Sequence, residues 1–202
     1  IIVFPGRYLE NIILNGKNIT LRSTNLTNRE VIENTILDGN GSGSVITFSG
    51  TEISSFTLKG FTIMNGFAND DIGGAGIRGN GTFATIENNI IRENNSRENG
   101  GGVSGCSGLI KNNLITRNNA QGVEGGTAGN GGGINSCSGL IQNNIISFNS
   151  ARQIGGGIYN SPNAILQNNT IYNNQSDRGA GISSVSEVRN CIIWGNIFGQ
   201  VD

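Results

Sequence analysis

The stretch Gly131-Gly132-Gly133-Ile134, followed by Ile141-Gln142-Asn143-Asn144-Ile145-Ile146 and Asn149, is one copy of a pattern that repeats along the second half of the chain. Five copies occur, and their Asn-Asn or Asn-Cys pairs begin at positions 88, 112, 143, 168 and 190. The steps between successive copies are therefore 24, 31, 25 and 22 residues. A period in this range is typical of a solenoid, in which each repeat stacks on its neighbours.

Each copy places an aliphatic residue at three equivalent points. No stretch shows the apolar spacing of a helix over helical length, so we expect strands and no helices. Three short strands per copy, each pairing with its equivalent one coil away at about 4.8 Å, predict an all-β parallel β-helix. With the less regular first third included, we expect roughly eight coils. The three predicted interior columns are Ile77, Val103, Ile134, Ile158 and Ile182; Ile86, Ile110, Ile141, Leu166 and Val188; and Ile91, Ile115, Ile146, Ile171 and Ile193.

The recurring asparagines predict turns and side-chain ladders. Asn tolerates the left-handed backbone of a tight bend, and stacked Asn side chains can bond to one another across coils. We expect these residues to serve turns and not ligands. The two predicted ladders are Asn88, Asn112, Asn143, Asn168 and Asn190, and Asn65, Asn94, Asn118, Asn149, Asn174 and Asn196.

Composition limits the classes of protein that the chain can belong to. We expect a single domain over 1–202, with less regular coils in 1–66 and regular coils in 67–196. Because the chain opens within a strand without Met and stops without a cap, we expect a fragment of a longer protein. Only 13% of residues are charged and the net charge is −1, which argues against nucleic acid as a partner. No apolar run approaches the roughly 18 residues of a membrane span.

The three cysteines follow the repeat. Cys106 and Cys137 hold the same position in successive copies, so we expect them to stack on adjacent coils. A disulfide between them and a ladder of two buried thiols are both compatible with this placement. Cys191 replaces an Asn of the repeat and has no evident partner.

The coils resemble the right-handed parallel β-helix repeats of pectin-lyase-like proteins. The resemblance rests on the Asn-Asn-x-Ile-x-x-Asn coils preceded by Gly-Gly-Gly-Ile, on the opening stretch 3–23, and on Asn190-Cys191-Ile192-Ile193-Trp194-Gly195-Asn196. It covers nearly the whole chain and is specific for the fold. It implies a right-handed β-helix from an exported bacterial protein, secreted or on the cell surface, that handles polysaccharide or is anchored near it. Activity is not implied, because this fold hosts lyases, hydrolases, epimerases and binding scaffolds alike.

Charged residues collect in the loop that precedes each Gly-Gly-x-Gly, and we call them the charged loop edge. The chain has no His, and its one Asp-Asp pair is Asp70-Asp71, which departs from the polygalacturonase pattern of clustered Asp with Gly-His-Gly. A solvated edge of alternating charge is the main expectation. A Ca²⁺ or uronate site, as in pectate lyases, is the alternative. The charged loop edge consists of Asp70, Asp71, Arg97, Glu98, Glu124, Arg152, Asp177 and Arg178.

Three aromatic residues form a second candidate surface. Tyr172 and Trp194 fall in one outward column, and Phe148 lies one position off. Exposed aromatic rings can stack on sugar rings, since they are amphipathic. The alternative is that these rings cover a sheet face or pack against another part of the protein.

These observations favour a non-catalytic extracellular or cell-surface scaffold with weak carbohydrate contact and no catalytic residues, cofactor or bound metal. A Ca²⁺-dependent lyase acting on acidic glycans is the alternative. Ice binding would need a flat column of outward Thr. We expect none, since Thr85, Thr116 and Thr170 fall in different registers or stand alone.

Overall fold

A computed structural model describes residues 1–69, 73–122 and 129–198. They form an all-β parallel solenoid, as the repeat predicts. Strands that are one coil apart in sequence pair side by side, and every pairing within the sheets is parallel. Each strand contributes only two to seven residues, because turns interrupt the chain at short intervals.

Two eight-stranded sheets run the length of the described solenoid. Sheet 1, in pairing order, consists of Ile2–Val3, Thr20–Ser23, Thr57–Lys59, Thr85–Glu87, Ile110–Lys111, Leu140–Gln142, Ser161–Gln167 and Val185–Arg189. Sheet 2 consists of Gly6–Leu9, Thr35–Asp38, Thr62–Met64, Ile90–Arg92, Leu114–Thr116, Ile145–Ser147, Thr170–Tyr172 and Ile192–Trp194.

Two smaller sheets close the coil. Sheet 3 consists of Ile12–Leu14, Ile46–Phe48, Ile77–Arg78, Val103–Ser104, Ile134–Asn135 and Ile158–Tyr159. Sheet 4 consists of Phe67–Ala68, Asn95–Ser96, Asn119–Ala120 and Ser150–Ala151. The sequence predicts three strands per coil. Sheet 4 adds a fourth, two-residue strand that follows the ladder Asn.

The three aliphatic columns lie in register and form the core. Ile115, for example, pairs with Ile91 on one side and with Ile146 on the other, and all three are fully buried. The same holds for the columns through Ile134 and Ile141. Val188 and Ile193 are exceptions, because their strands are the last in sheets 1 and 2: Val188 is 42% exposed and Ile193 is half-buried. The interior is therefore a continuous tube of stacked aliphatic side chains.

One predicted ladder is displaced by a single residue. The residues that stack are the second asparagines of each pair: the Asn113 backbone N–H donates to Asn144 Oδ1 at 2.9 Å, and Asn113 Nδ2 donates to the same oxygen at 3.1 Å. The first asparagine of each pair lies in the turn instead, as the φ of 55° at Asn143 shows. The sequence assigns both the turn and the stacking to the first asparagine, whereas in the structure the first forms the turn and the second stacks. The inner ladder is Asn89, Asn113, Asn144 and Asn169, continued by the Cys191 sulfur.

The second predicted ladder is correct except at its first member. Asn94, Asn118, Asn149, Asn174 and Asn196 are buried and bond in series. Asn65 lies instead in a left-handed turn and donates to Asp38, and Gly66 takes its place in the ladder by donating its N–H to Asn94 Oδ1.

Two further expectations are wrong. Helix α1 (Arg29–Asn34) interrupts the early coils, with Asn28 as its N-cap and Ile32 buried beneath it. A helix of six residues is too short to show a helical apolar period. A short outward threonine column also exists, because Thr20, Thr57 and Thr85 pair in register on sheet 1. It stops after three coils, where Leu109 and Leu140 take the equivalent position.

Candidate functional site

The aromatic row, which consists of Phe148, Tyr172 and Trp194 with Arg117 at one end, lies on the outer face of sheet 2. The Phe148 and Tyr172 ring centroids are 5.4 Å apart with the planes at 76°, and Tyr172 stacks on Trp194 at 5.9 Å and 8°. The Arg117 guanidinium carbon is 5.7 Å from the Phe148 centroid. Four successive coils therefore contribute to one continuous row, within the range of aromatic and cation–π contacts.

The mutual contacts decide what the row can offer a ligand. Tyr172 has one neighbouring ring on each side: one of its ring faces stacks on Trp194, and its contact with Phe148 is edge-to-face. Phe148 and Trp194 remain 47% and 57% exposed. The phenol, indole and guanidinium groups add hydrogen-bond donors to this apolar surface. The row is thus an amphipathic ridge and not a set of three separate stacking platforms.

The backbone beneath the row is in an unusual conformation. Glu93, Arg117 and Phe148 hold equivalent places just before a ladder Asn, with φ of 56°, 53° and 55°. Asn65 and Asn173 fill the same column in other coils, also at positive φ. The left-handed region suits Asn and Gly, and a bulky residue there costs roughly 1–3 kcal/mol. Such strain is concentrated at functional surfaces, which makes this column a candidate for ligand contact.

A shallow apolar groove adjoins the row on the same sheet. Its floor is formed by Ile90, Leu114 and Ile145, of which Ile145 is 45% exposed. Helix α1 forms one wall through Arg29, and Arg117 stands at the far end. Two adjoining clefts of about 270 and 320 Å³ make up the groove. The groove and the row form an extended surface that has an apolar floor and charged margins, where Glu33 pairs with Arg29 at 2.6 Å.

The charged loop edge is only partly brought together. Arg97, Arg152 and Asp177 occupy one column beside sheet 4, as the register predicts for loops that follow equivalent strands. Arg152 and Asp177 line a cleft of about 410 Å³ together with Gln121 and Gln175. Asp70, Asp71 and Glu124 lie outside the described residues.

The remaining members of the charged loop edge do not converge on a cation. Arg97 Nη1 donates to Asn69 Oδ1 at 3.1 Å, and the Arg178 backbone N–H donates to Gln153. Glu98 is half-buried, and its Oε2 is buried without a hydrogen-bond partner among the described residues. Over 1–69, 73–122 and 129–198, no group of three or more Cys, Asp or Glu side chains is placed to hold a metal ion.

Two buried carboxylates, Asp38 and Glu52, accept several hydrogen bonds from the surrounding chain. Burial raises the pKa of Asp38, but hydrogen bonds from Asn40 and Asn65 and the Arg7 guanidinium outweigh it and lower that pKa overall. In the same way, burial raises the pKa of Glu52, and N–H and hydroxyl donors around Ser49 bring it below its usual value. A general acid needs the opposite shift, towards neutral pH. These two carboxylates are therefore structural anions.

Glu87 forms a third ionic centre, on the outer face of sheet 1. Lys59 and Lys111 approach it from the coils on either side, at 3.3 and 2.9 Å. Burial raises the pKa of Glu87, but the two ammonium groups outweigh it and lower the pKa. These three charges thus pair across coils.

Sequence reasoning missed two features of the surface. Arg117 holds the same repeat position as Phe148, one residue before a ladder Asn, and this spacing could have identified it. A cleft of about 560 Å³ between sheets 3 and 4 is the second. Phe67, Asn69 and Arg78 line it. Ser44 lines it as well, and its hydroxyl is buried without a hydrogen bond to any residue that the structure describes. Most of the residues that line the cleft, Ser44 among them, come from the less regular coils of 1–66, where no repeat pattern marks them.

Comparisons with known proteins identify no relative. No family model, no curated protein and no solved structure matches the chain. As for membranes, the described part of the chain contains no helix with the length and apolar character that a span requires.

Proposed function

We propose that the chain is a rigid, non-catalytic scaffold whose aromatic row makes weak contact with carbohydrate. The observation that carries the proposal is the row itself: four side chains from successive coils in mutual contact on the outer face of sheet 2. Apolar ring surface combined with donors suits the apolar faces and hydroxyl groups of sugars. The strained backbone at Arg117 and Phe148 supports a role beyond folding.

The proposal includes the family and the location. We infer a right-handed β-helix of the pectin-lyase-like kind with roughly eight coils, from an exported bacterial protein, secreted or held at the cell surface. Two sheets of eight strands support that number of coils. Parallel strands joined by crossover connections are right-handed in the great majority of proteins, which supports the handedness. Two unbroken ladders of asparagines along the tube support rigidity as its mechanical role.

Trp194 provides a direct test of carbohydrate contact, because it is the only tryptophan of the chain. The protein is titrated with oligosaccharides of polygalacturonate, alginate and xylan while tryptophan emission is followed. We expect a saturable shift in emission with at least one of them. Phe148→Ala should weaken binding roughly 3- to 10-fold, since Phe148 is 47% exposed and an aromatic contact of this kind is worth about 1 kcal/mol.

Phe83→Ala is the matched control. Phe83 is 59% exposed but lies outside the row, so its loss should leave the affinity unchanged. An unchanged emission spectrum with all three glycans would contradict carbohydrate contact. The non-catalytic part is tested separately, by incubating the protein with the two acidic glycans and Ca²⁺ and measuring ultraviolet absorbance. Release of unsaturated products would show a lyase instead.

A further inference from the structure

We propose that Cys106 and Cys137 form a reversible redox latch that fastens one coil of the solenoid to the next. The two residues lie at equivalent positions on adjacent coils, two residues after the register pair Ser104 and Asn135. Both are free thiols with 1% exposure, inside the hydrophobic core. The Cys106 backbone N–H donates to the Cys137 sulfur at 3.4 Å, so that sulfur lies directly between the two coils.

The spacing of the coils permits a bond between the two sulfurs. Paired strands lie about 4.8 Å apart, within the Cα separation of roughly 4.4–6.8 Å found in disulfides. The Cβ atoms must approach to about 3.5–4.5 Å, which requires a small compression of the stack. A disulfide held under such strain is more easily reduced than a relaxed one. The pair is therefore suited to reversible and not to permanent oxidation.

The Cys106 sulfur is directed towards the preceding coil, where the neighbouring residue is Gly79 and a Cβ would lie 2.5 Å from that sulfur. Bond formation therefore requires the Cys106 side chain to turn towards the following coil, where the Cys137 sulfur already lies against the Cys106 backbone N–H. On the coil after that of Cys137, Ser161 Oγ accepts the Cys137 N–H at 3.2 Å. Serine thus accepts the backbone N–H of the preceding coil as cysteine does, but it cannot form a disulfide. Cys137→Ser therefore places at this position a residue that already occurs at the equivalent position of the next coil.

Oxidation proceeds by exchange with a small disulfide such as oxidised glutathione. One protein thiolate attacks the glutathione disulfide, which forms a mixed disulfide and releases one reduced glutathione. The second protein thiolate then attacks the mixed disulfide and releases another. The hydrogen bond with Cys137, together with burial, raises the pKa of Cys106 well above its usual value, which keeps the thiolate scarce. Exchange therefore occurs through local opening of the coil and is slow.

The latch lies at the longest of the regular repeats. Cys106 and Cys137 are 31 residues apart, and the Asn-Asn pairs that follow them, at 112 and 143, are separated by the same longest step. Closing a loop of this length restricts the unfolded chain and raises the melting temperature by roughly 5–10 °C. The latch would fasten the longest of the regular coils to its neighbour.

The experiment incubates the folded protein with oxidised glutathione and then alkylates the remaining thiols in denaturant. We expect a product 2 Da lighter before alkylation, with one thiol left, and peptide mapping should join Cys106 to Cys137 and leave Cys191 alkylated. The melting temperature should rise with oxidation and return on reduction. Cys137→Ser should fold normally and show neither change.

Three outcomes would overturn the proposal. The first is three alkylated cysteines after prolonged oxidation of the folded protein. The second is a cross-link that joins Cys191 to either partner. The third is an oxidised product of the right connectivity whose melting temperature does not exceed that of Cys137→Ser treated in the same way.

Discussion

Substitution of Asn144, a member of the inner ladder, should lower the free energy of unfolding far more than substitution of its neighbour in sequence, Asn143. Asn144 is buried and accepts two hydrogen bonds from Asn113, through its backbone N–H at 2.9 Å and its Nδ2 at 3.1 Å. Its own Nδ2 donates to Ile110 O at 2.9 Å and to Asn169 Oδ1 at 3.1 Å. Asn144→Ala removes all four bonds while leaving the backbone of the coil unchanged.

The expected loss follows from the groups left unpaired. Two donors of Asn113 lose their acceptor inside the tube, and each buried group without a partner costs about 1–3 kcal/mol. We therefore expect Asn144→Ala to lower the free energy of unfolding by about 3–5 kcal/mol. Urea denaturation followed by far-ultraviolet circular dichroism measures this change, as a lower midpoint with the slope unchanged.

Asn143 provides the matched control. It is exposed, adopts φ of 55°, and its side chain makes no hydrogen bond with the described residues. Asn143→Gly keeps the left-handed turn and should change the free energy of unfolding by less than about 0.5 kcal/mol. If the two variants were equally stable, or if Asn143→Gly were the weaker one, the assignment of the ladder to the second Asn of each pair would be wrong.

Three further predictions concern the row, the packing of the coils and the buried carboxylates. Phe148→Asn should relieve backbone strain of about 1 kcal/mol while losing ring contacts of similar size, so the urea midpoint should stay close to that of the parent while the glycan affinity measured through Trp194 falls. A large loss of stability with unchanged affinity would show that Phe148 serves only packing. Gly132→Ala should destabilise by more than about 2 kcal/mol, because its Cβ would lie 2.1 Å from Ser150 O, whereas Gly41→Asn meets open space and keeps a left-handed turn. Comparable denaturation midpoints for these two variants would contradict the close approach of the coils. The lowered pKa values of Asp38 and Glu52 contribute stability that is fully present above the pKa of about 4 of an unfolded carboxyl and is lost as the pH falls through the folded values. The urea midpoint should therefore be constant from pH 7 to 5 and fall towards pH 3, and a flat profile to pH 3 would exclude this role.

The regular coils could be predicted from the sequence because one physical requirement repeats in each of them. Ile115 and Ile146 fall in register since only aliphatic side chains fill a tube that excludes water. The ladder was misplaced by one residue because Asn143 and Asn144 are chemically identical. Only the backbone conformation shows which of them turns and which stacks.

The irregular features could not be predicted for a different reason. Helix α1 depends on a single cap at Asn28 and on one buried residue, Ile32, which together are too few to form a period. The contact of Arg117 with Phe148 joins two coils. It depends on the register of the coils, which places the two side chains next to each other. The cleft that includes Ser44 is lined mostly by residues of the less regular coils, which share no repeat pattern.

The central claim, that equivalent residues of successive coils lie over one another inside a dry tube, is tested most directly by nuclear Overhauser effects between isoleucine methyl groups. We predict cross-peaks that join Ile91 to Ile115, Ile115 to Ile146, and Ile146 to Ile171. Cross-peaks typical of antiparallel hairpins within one repeat, or isoleucine methyls that contact only solvent, would contradict the stacked solenoid.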